Sequence, residues 1–298
     1  MEKELDKPLI LNGKELSKKI RESLAEEILS VSREVGREPG LSVILVGNDP
    51  ASEIYVKNKI RACQKVGIKS FSYRLGEGVS TSELLDLIGE LNQREEVDGI
   101  LIQLPLPAHI PREEIISAIG PEKDVDGFHP VNMGKLVAKS EEGFIPCTPL
   151  GIDLLLSHYG IGLKGKDVVI VGAGFIVGRP LSMLMLWRDA TVTICHIHTK
   201  DLSKHTASAD VVISATGVPG LIKGDMVREG AVVVDVGISR IGGKIVGDVD
   251  FESVYPKASA ITPVPGGVGP MTVTGLLLNT FKAYKKRVGY QSTSTMNP

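Results

Sequence analysis

Short apolar runs alternate with longer amphipathic stretches along almost the whole chain. Residues 41–46, 70–75 and 99–104 are apolar runs bounded by polar or glycine positions, which predicts buried strands. Between them, 50–66 and 82–93 read as helices. Asp49-Pro50 is a helix start, because the acid can cap and proline fits the first helical position. Gly67 is placed to stop that helix. The run 113–144 breaks the rhythm with prolines and glycines and reads as a connector that also lines a site. A second series opens at Thr148-Pro149, another cap-and-proline start, and continues with strands at 167–171, 191–195, 211–215 and 231–236. A last helix is predicted over 271–286, and the polar segment 291–298 is expected to be disordered. There is no internal repeat and no coiled-coil pattern.

Strand–helix alternation of this kind predicts βαβ units and mostly parallel sheets. A chain of 298 residues suits two domains. The last helix is expected to pack back on the first series. The fold class is therefore α/β with two domains. Residues 1–147 plus 271–298 are expected to form a discontinuous N-terminal α/β domain. Residues 148–270 form a Rossmann-like parallel-sheet domain, with a cleft between the two.

Composition narrows the function classes. The net charge of −2 and an aromatic content of 4% give no sign of a nucleic-acid or membrane partner. Cys63, Cys147 and Cys195 are scattered and form no CxxC pair, so they read as reduced thiols and not as a disulfide or zinc framework. The opening Met-Glu-Lys-Glu-Leu-Asp-Lys is charged in both signs, unlike a secretory signal or a transit peptide. No apolar run is long enough to span a bilayer, and a cytoplasmic protein is expected.

The strand 167–171 runs directly into Gly172-Ala173-Gly174-Phe-Ile-Val-Gly178-Arg179-Pro180, and a helix follows through Trp187. Strand, glycine turn and helix together form a dinucleotide cradle. Glycines let the backbone approach a pyrophosphate, and the helix start offers N–H donors and a positive dipole end. The spacing is GxGxxxG, one residue longer than the usual fingerprint, and a tight turn with no ligand would use the same glycines. An NAD site usually places an acid about 20 residues past the glycines. Here the next strand ends in Cys195-His196-Ile197-His198-Thr199-Lys200, with no acid before Asp201. The two histidines and Lys200 can meet a 2′-phosphate, although no arginine is present. Farther on, Asp235-Val-Gly237-Ile238 ends a strand at the edge that commonly borders the nicotinamide; a buried strand with a glycine turn has the same pattern.

The first half carries the candidate chemistry. Ser52, Tyr55 and Lys59 lie on the helix after residue 46, and Tyr55 and Lys59, four apart, share one helical face. Such a pair can relay protons; a surface lysine beside a packed tyrosine looks the same. Gln103 is a polar residue at the carboxyl end of an apolar strand, between Ile102 and Leu104, where open α/β sheets bind ligands. It can hold a lysine amine, or merely satisfy a nearby turn. Asp126, in Asp124-Val-Asp126-Gly127, offers a carboxylate to a heterocycle, or caps a turn. The stiff loop 262–272 contains Pro265, Gly266, Gly267, Val268, Gly269 and Pro270 and suits a wall against a flat ligand.

Together these stretches resemble the bifunctional methylenetetrahydrofolate dehydrogenase/cyclohydrolases of one-carbon metabolism. The matching segments are Tyr55-Val-Lys-Asn-Lys59, Asp98-Gly-Ile-Leu-Ile-Gln-Leu-Pro-Leu-Pro107, Lys123-Asp-Val-Asp-Gly127, Pro146-Cys-Thr-Pro149 and the run 262–272. The similarity covers nearly the whole chain short of its ends. The resemblance implies that Lys59 is the central catalytic residue, needed chiefly for the cyclohydrolase. Tyr55 would lie against the aminobenzoate ring of folate, Gln103 would position Lys59, and Asp126 would hold the pterin edge. Ile102, Leu104 and the run from Pro265 to Val273 would wall the folate site. Gly172, Ala173, Gly174, Ile197 and Ile238 would contact the dinucleotide.

The implied chemistry passes a hydride from the folate methylene bridge to nicotinamide. Water then adds to the methenyl carbon, and the ring opens to the formyl form. The second step needs proton transfers, hence a lysine with a lowered pKa. No metal is implied, and with no P-loop the ATP-dependent formate ligase activity fused to some relatives should be absent. The resemblance also implies a homodimer. NADP is the family's commoner cofactor, with NAD as the alternative. Two departures bear on that choice: the family usually has serine where this chain has Gly174, and many members have serine or arginine where it has Ile197. Two other readings use the same glycine loop: a dehydrogenase of another pterin or small acid, and a non-enzymatic dinucleotide sensor. The other dehydrogenase has no reason to carry Lys59, Gln103 and Asp126 together, and the sensor would bind cofactor but tolerate loss of Lys59.

Overall fold

The computed structural model describes residues 7–290. The polar segment 291–298 and most of the charged opening residues lie outside the described residues. In chain order the elements are β1 (Leu9–Ile10), α1 (Gly13–Val35), β2 (Gly40–Val46), α2 (Pro50–Val66), β3 (Lys69–Leu75), α3 (Thr81–Gln93), β4 (Gly99–Ile102), α4 (Arg112–Ala118), α5 (Pro130–Val137) and α6 (Cys147–His158). They continue with β5 (Asp167–Val171), α7 (Gly178–Trp187), β6 (Thr191–Cys195), α8 (Leu202–Thr206), β7 (Val211–Ser214), β8 (Val232–Asp235), β9 (Ser239–Ile241), β10 (Lys244–Val246), α9 (Phe251–Val254), β11 (Ala260–Ile261) and α10 (Val268–Arg287). No helix among the described residues is long and apolar enough to cross a membrane.

The chain divides into two compact units. One comprises Lys19–Cys147 with the chain from Val273 onward. Its sheet has the order β3-β2-β4, all parallel. Every residue of β2 is buried, as expected of a strand covered on both faces. Leu41, Val43 and Leu45 pack with α1, α2 and α10 through residues such as Ile28, Val56, Leu277 and Phe281. Ile44 and Val46 face the other way, onto Leu84 and Ile88 of α3 and Ile115 of α4. Asp49 caps α2 by accepting the Ser52 N–H at 2.7 Å, and Gly67 ends it at φ 83°.

The other unit comprises Thr148–Thr272 with the chain up to Lys18. Its sheet has the order β1-β11-β8-β7-β5-β6, and every pairing is parallel. Here the division differs from the sequence boundary at the start of the chain. Leu9 and Ile10 pair with Ala260 and Ile261, so the first residues extend this sheet.

Three further expectations are corrected. The proline-rich run 113–144 takes in most of α4 and all of α5; Pro130 sits in the first turn of α5, where its missing N–H costs nothing. Thr148 does not precede α6 but lies inside it, and its hydroxyl meets that of Thr272 at 3.0 Å. The strand expected over 99–104 ends at Ile102, so Gln103 stands just beyond it.

Candidate active site

In the first unit the chain turns from β2 to β3 on one side and reaches β4 on the other, so the carboxyl ends of β2 and β4 flank a topological switch point, the usual ligand position in open α/β sheets. α2 leaves β2 there and carries Tyr55, 41% exposed, and Lys59, half-buried. Gln103 follows β4, and its backbone N–H still donates to Ile44 O at 2.9 Å. Its side-chain Nε2 donates to Leu104 O at 2.8 Å, which turns Oε1 toward Lys59. Lys59 Nζ donates to that oxygen at 3.1 Å.

Asp126 completes the group. Ile100 of β4 bridges Asp124 in parallel, so the Asp124–Gly127 turn begins beside β4. The two acids of the turn have different tasks. Asp124 is buried and accepts from the N–H groups of Gly127 and His129 and from Asn132 Nδ2, so it holds the turn. Asp126 accepts from the Cys147 thiol at 3.4 Å. Burial pushes the Asp126 carboxyl above the usual carboxylate range, against the pull of the Lys59 charge. Burial, then the Asp126 charge, likewise pushes the Cys147 thiol well up. Cys147 thus contacts a candidate site residue; from the sequence it reads as a reduced thiol within the family segment Pro146–Pro149. Asn279 of α10 donates to Val125 O at 2.8 Å and Ile145 O at 2.9 Å and ties the segments on either side of this pair.

In the second unit the glycine loop leaves β5, the strand with β6 on one side and β7 on the other, again a switch point. Two of its glycines are required by close approach. A Cβ on Gly172, whose φ is 114°, would stand 2.4 Å from Ala215 O. A Cβ on Gly178 would stand 1.7 Å from Gly172 O. Gly174 is exposed and has nothing within 4 Å of a Cβ position, so no packing demands glycine there. The narrow turn, the open place at Gly174 and the start of α7 fit a pyrophosphate.

The turn after β6 is held by His196 N–H on Thr199 Oγ1 (2.8 Å) and by His198 N–H on His196 Nδ1 (3.1 Å). Ile197 projects from it, 93% exposed. Ile238 follows β8 and is 46% exposed. The run from Pro265 to Pro270 belongs to this unit as well. It is held by Gly267 N–H on Pro263 O and by Lys14 N–H on Gly266 O, both at 2.8 Å. Of the residues named from the sequence, Lys59, Gln103 and Asp126 are gathered on the first sheet, with Ile102 and Leu104 flanking Gln103. Gly172, Ala173 and Gly174 line the turn on the second.

Two parallel α/β units, one with a glycine turn feeding a helix and one with a lysine, an amide and a carboxylate at its own sheet edge, define a two-unit protein of the dinucleotide-binding class. Residues 11–126 match the model of the tetrahydrofolate dehydrogenase/cyclohydrolase catalytic domain, and residues 146–288 match that family's NAD(P)-binding domain. The chain belongs to the tetrahydrofolate dehydrogenase/cyclohydrolase family. It is 70% identical over 290 residues to the bifunctional protein FolD of Aquifex aeolicus, covering 97% of this chain and 99% of that one. The crystal structure of the Campylobacter jejuni bifunctional enzyme FolD is 55% identical, with a TM-score of 0.92 over 93% of this chain and 99% of that one. The Trypanosoma brucei methylenetetrahydrofolate dehydrogenase-cyclohydrolase, solved with NADP and an inhibitor, is 38% identical, with a TM-score of 0.91 over 95% of this chain and 99% of that one.

Proposed function

We propose that this protein oxidises methylenetetrahydrofolate with a nicotinamide dinucleotide and hydrolyses the methenyl product to formyltetrahydrofolate. The observation that carries this reading is the Lys59 ammonium held at 3.1 Å on the Gln103 carbonyl, in the unit where Asp126 is embedded against Cys147. Asp126 receives the N–H edge of the pterin, and Tyr55 lies along the aminobenzoate ring. Ile102 and Leu104 confine the folate. Gly172, Ala173 and Gly174 hold the pyrophosphate, with Ile197 near the adenosine ribose and Ile238 near the nicotinamide. A dinucleotide held there would supply the acceptor for the hydride that leaves the methylene carbon.

Hydrolysis falls to the chain's own groups. Water adds to the methenyl carbon and loses both its protons as the formyl carbonyl forms: one leaves to solvent with the charge of the methenyl cation, while the Lys59 ammonium gives a proton to the ring nitrogen whose bond to carbon breaks and takes the other from the added water. Gln103 keeps Nζ in place for both transfers. NADP is the proposed cofactor, with NAD as the alternative. A cytoplasmic homodimer feeding purine, methionine and histidine biosynthesis belongs to the same reading. The three unpaired buried thiols support the compartment, and the resemblance supports the dimer and the pathways. Lys59→Ala tests the assignment: methenyl hydrolysis should disappear from a folded protein, and retained hydrolysis would contradict it.

A further inference from the structure

Two acids in the dinucleotide unit are buried without a basic partner among their hydrogen bonds. Asp248 is wholly buried and Asp235 is 4% exposed. Four donors converge on one oxygen of Asp248: Ser214 Oγ at 2.9 Å, Thr216 N at 2.6 Å, Thr216 Oγ1 at 2.9 Å and Gly217 N at 3.3 Å. Its other oxygen is buried with no hydrogen-bond partner. Asp235 accepts from the N–H groups of Gly237, Asp248 and Val249, each at 2.9 Å, and its own N–H donates to Thr262 Oγ1 at 2.7 Å.

Each carboxylate is seated on a glycine. A Cβ on Gly237 would lie 2.0 Å from Asp248 Oδ1, and one on Gly247 would lie 1.9 Å from Asp235 Oδ2. Burying acids in this way works against stability, since apolar side chains fill such space at less cost. The compensating role is found in what they hold. Asp248 fixes the turn at the carboxyl end of β7, and Asp235 fixes the turn at the carboxyl end of β8. The β7 turn in turn borders the glycine loop, because Ala215 O leaves no room for a Cβ on Gly172.

We propose that Asp248 is a positioning residue for the dinucleotide: by gathering the Ser214, Thr216 and Gly217 donors it sets the turn against which the glycine loop closes. Asp235 sets the height of the neighbouring turn and holds Asp248 itself. The inference rests on the dinucleotide reading above. Both acids are buried, and both act through the turns they hold.

The test uses the full chain with Asp248→Ala and Asp248→Asn. Three readouts are taken: NADP and NAD affinity by titration calorimetry, hydrogen exchange over residues 214–217 without dinucleotide, and methenyl hydrolysis, which uses Lys59 and consumes no dinucleotide. Asp248→Ala should weaken dinucleotide binding by about tenfold or more, the loss expected when several hydrogen bonds to a charged group disappear. Exchange at Thr216 and Gly217 should quicken, while hydrolysis stays near the unaltered rate. Asp248→Asn keeps an acceptor oxygen and should recover most of the affinity. Unchanged dinucleotide affinity in Asp248→Ala overturns the proposal, and so does hydrolysis that falls as far as binding. If the alanine variant does not fold, Thr216→Val removes one of the four donors and should still weaken dinucleotide binding; unchanged affinity there also overturns it. Unaltered protein that binds neither NADP nor NAD refutes the dinucleotide reading itself, a result distinct from failure of the variants alone.

Discussion

Gln103→Ala removes the acceptor that holds Lys59 Nζ at 3.1 Å and leaves the lysine stem anchored on α2. A hydrogen bond to a charged group contributes about 1.5–3 kcal/mol. Lys59 and Gln103 are both half-buried, so solvent replaces part of the lost contact and the lower end of that range applies. A loss of about 1.5–2 kcal/mol corresponds to roughly a tenfold to thirtyfold fall in kcat/KM for methenyl hydrolysis. The assay is the decay of methenyl absorbance at limiting substrate, with a urea titration of each variant to show equal folding. The lysine variant supplies the control. If Gln103 acts through Lys59, adding Gln103→Ala to Lys59→Ala should change nothing further, because the two residues act as one unit. Hydrolysis within twofold of the unaltered protein, or losses that simply add, would refute the positioning role.

Asp126→Ala should weaken folate binding, measured by fluorescence titration, and leave NADP affinity unchanged; unaltered folate affinity would contradict it. Ile197→Arg places a guanidinium where the 2′-phosphate is expected and should raise the NADP-to-NAD ratio of kcat/KM by about tenfold; an unmoved ratio would remove Ile197 from the cofactor site. Burial pushes Asp235 up to about 6, above an unfolded value near 4. An acid raised in the folded state contributes stability below its unfolded pKa and loses it as pH rises through the folded pKa. Between about pH 4 and pH 7 the unaltered protein should therefore lose up to about 3 kcal/mol relative to Asp235→Asn. A stability difference that does not vary with pH, read by urea unfolding, would contradict this.

Much of the site was legible in the sequence because its signals are local. β5, the glycine turn and α7 are consecutive, and Gly172 and Gly178 announce a close approach that the structure realises against Ala215 O and Gly172 O. Tyr55 and Lys59 share a helix, and Gln103 was visible as a polar residue ending an apolar run. What stayed hidden depends on distant chain. The pairing of Leu9–Ile10 with Ala260–Ile261 joins segments about 250 residues apart, through strands of two residues each, too short to show a pattern. The 23-residue helix α1 was not assigned, although Leu16, Leu24, Ile28 and Val31 are its buried stripe. Prolines concealed α4 and α5 because they sit at helix starts and not in helix interiors. The Cys147 contact with Asp126 and the Asp235–Asp248 pairing were invisible because no local spacing distinguishes a buried acid from a capped turn.

The most direct test follows purified protein with methylenetetrahydrofolate and either NADP or NAD, recording reduced dinucleotide and formyltetrahydrofolate together. The account predicts one formyl product for each dinucleotide reduced, and in Lys59→Ala a build-up of methenyl compound with no formyl product beyond the uncatalysed rate. No dinucleotide reduction with either cofactor, or formyl product formed at the unaltered rate without Lys59, would contradict it.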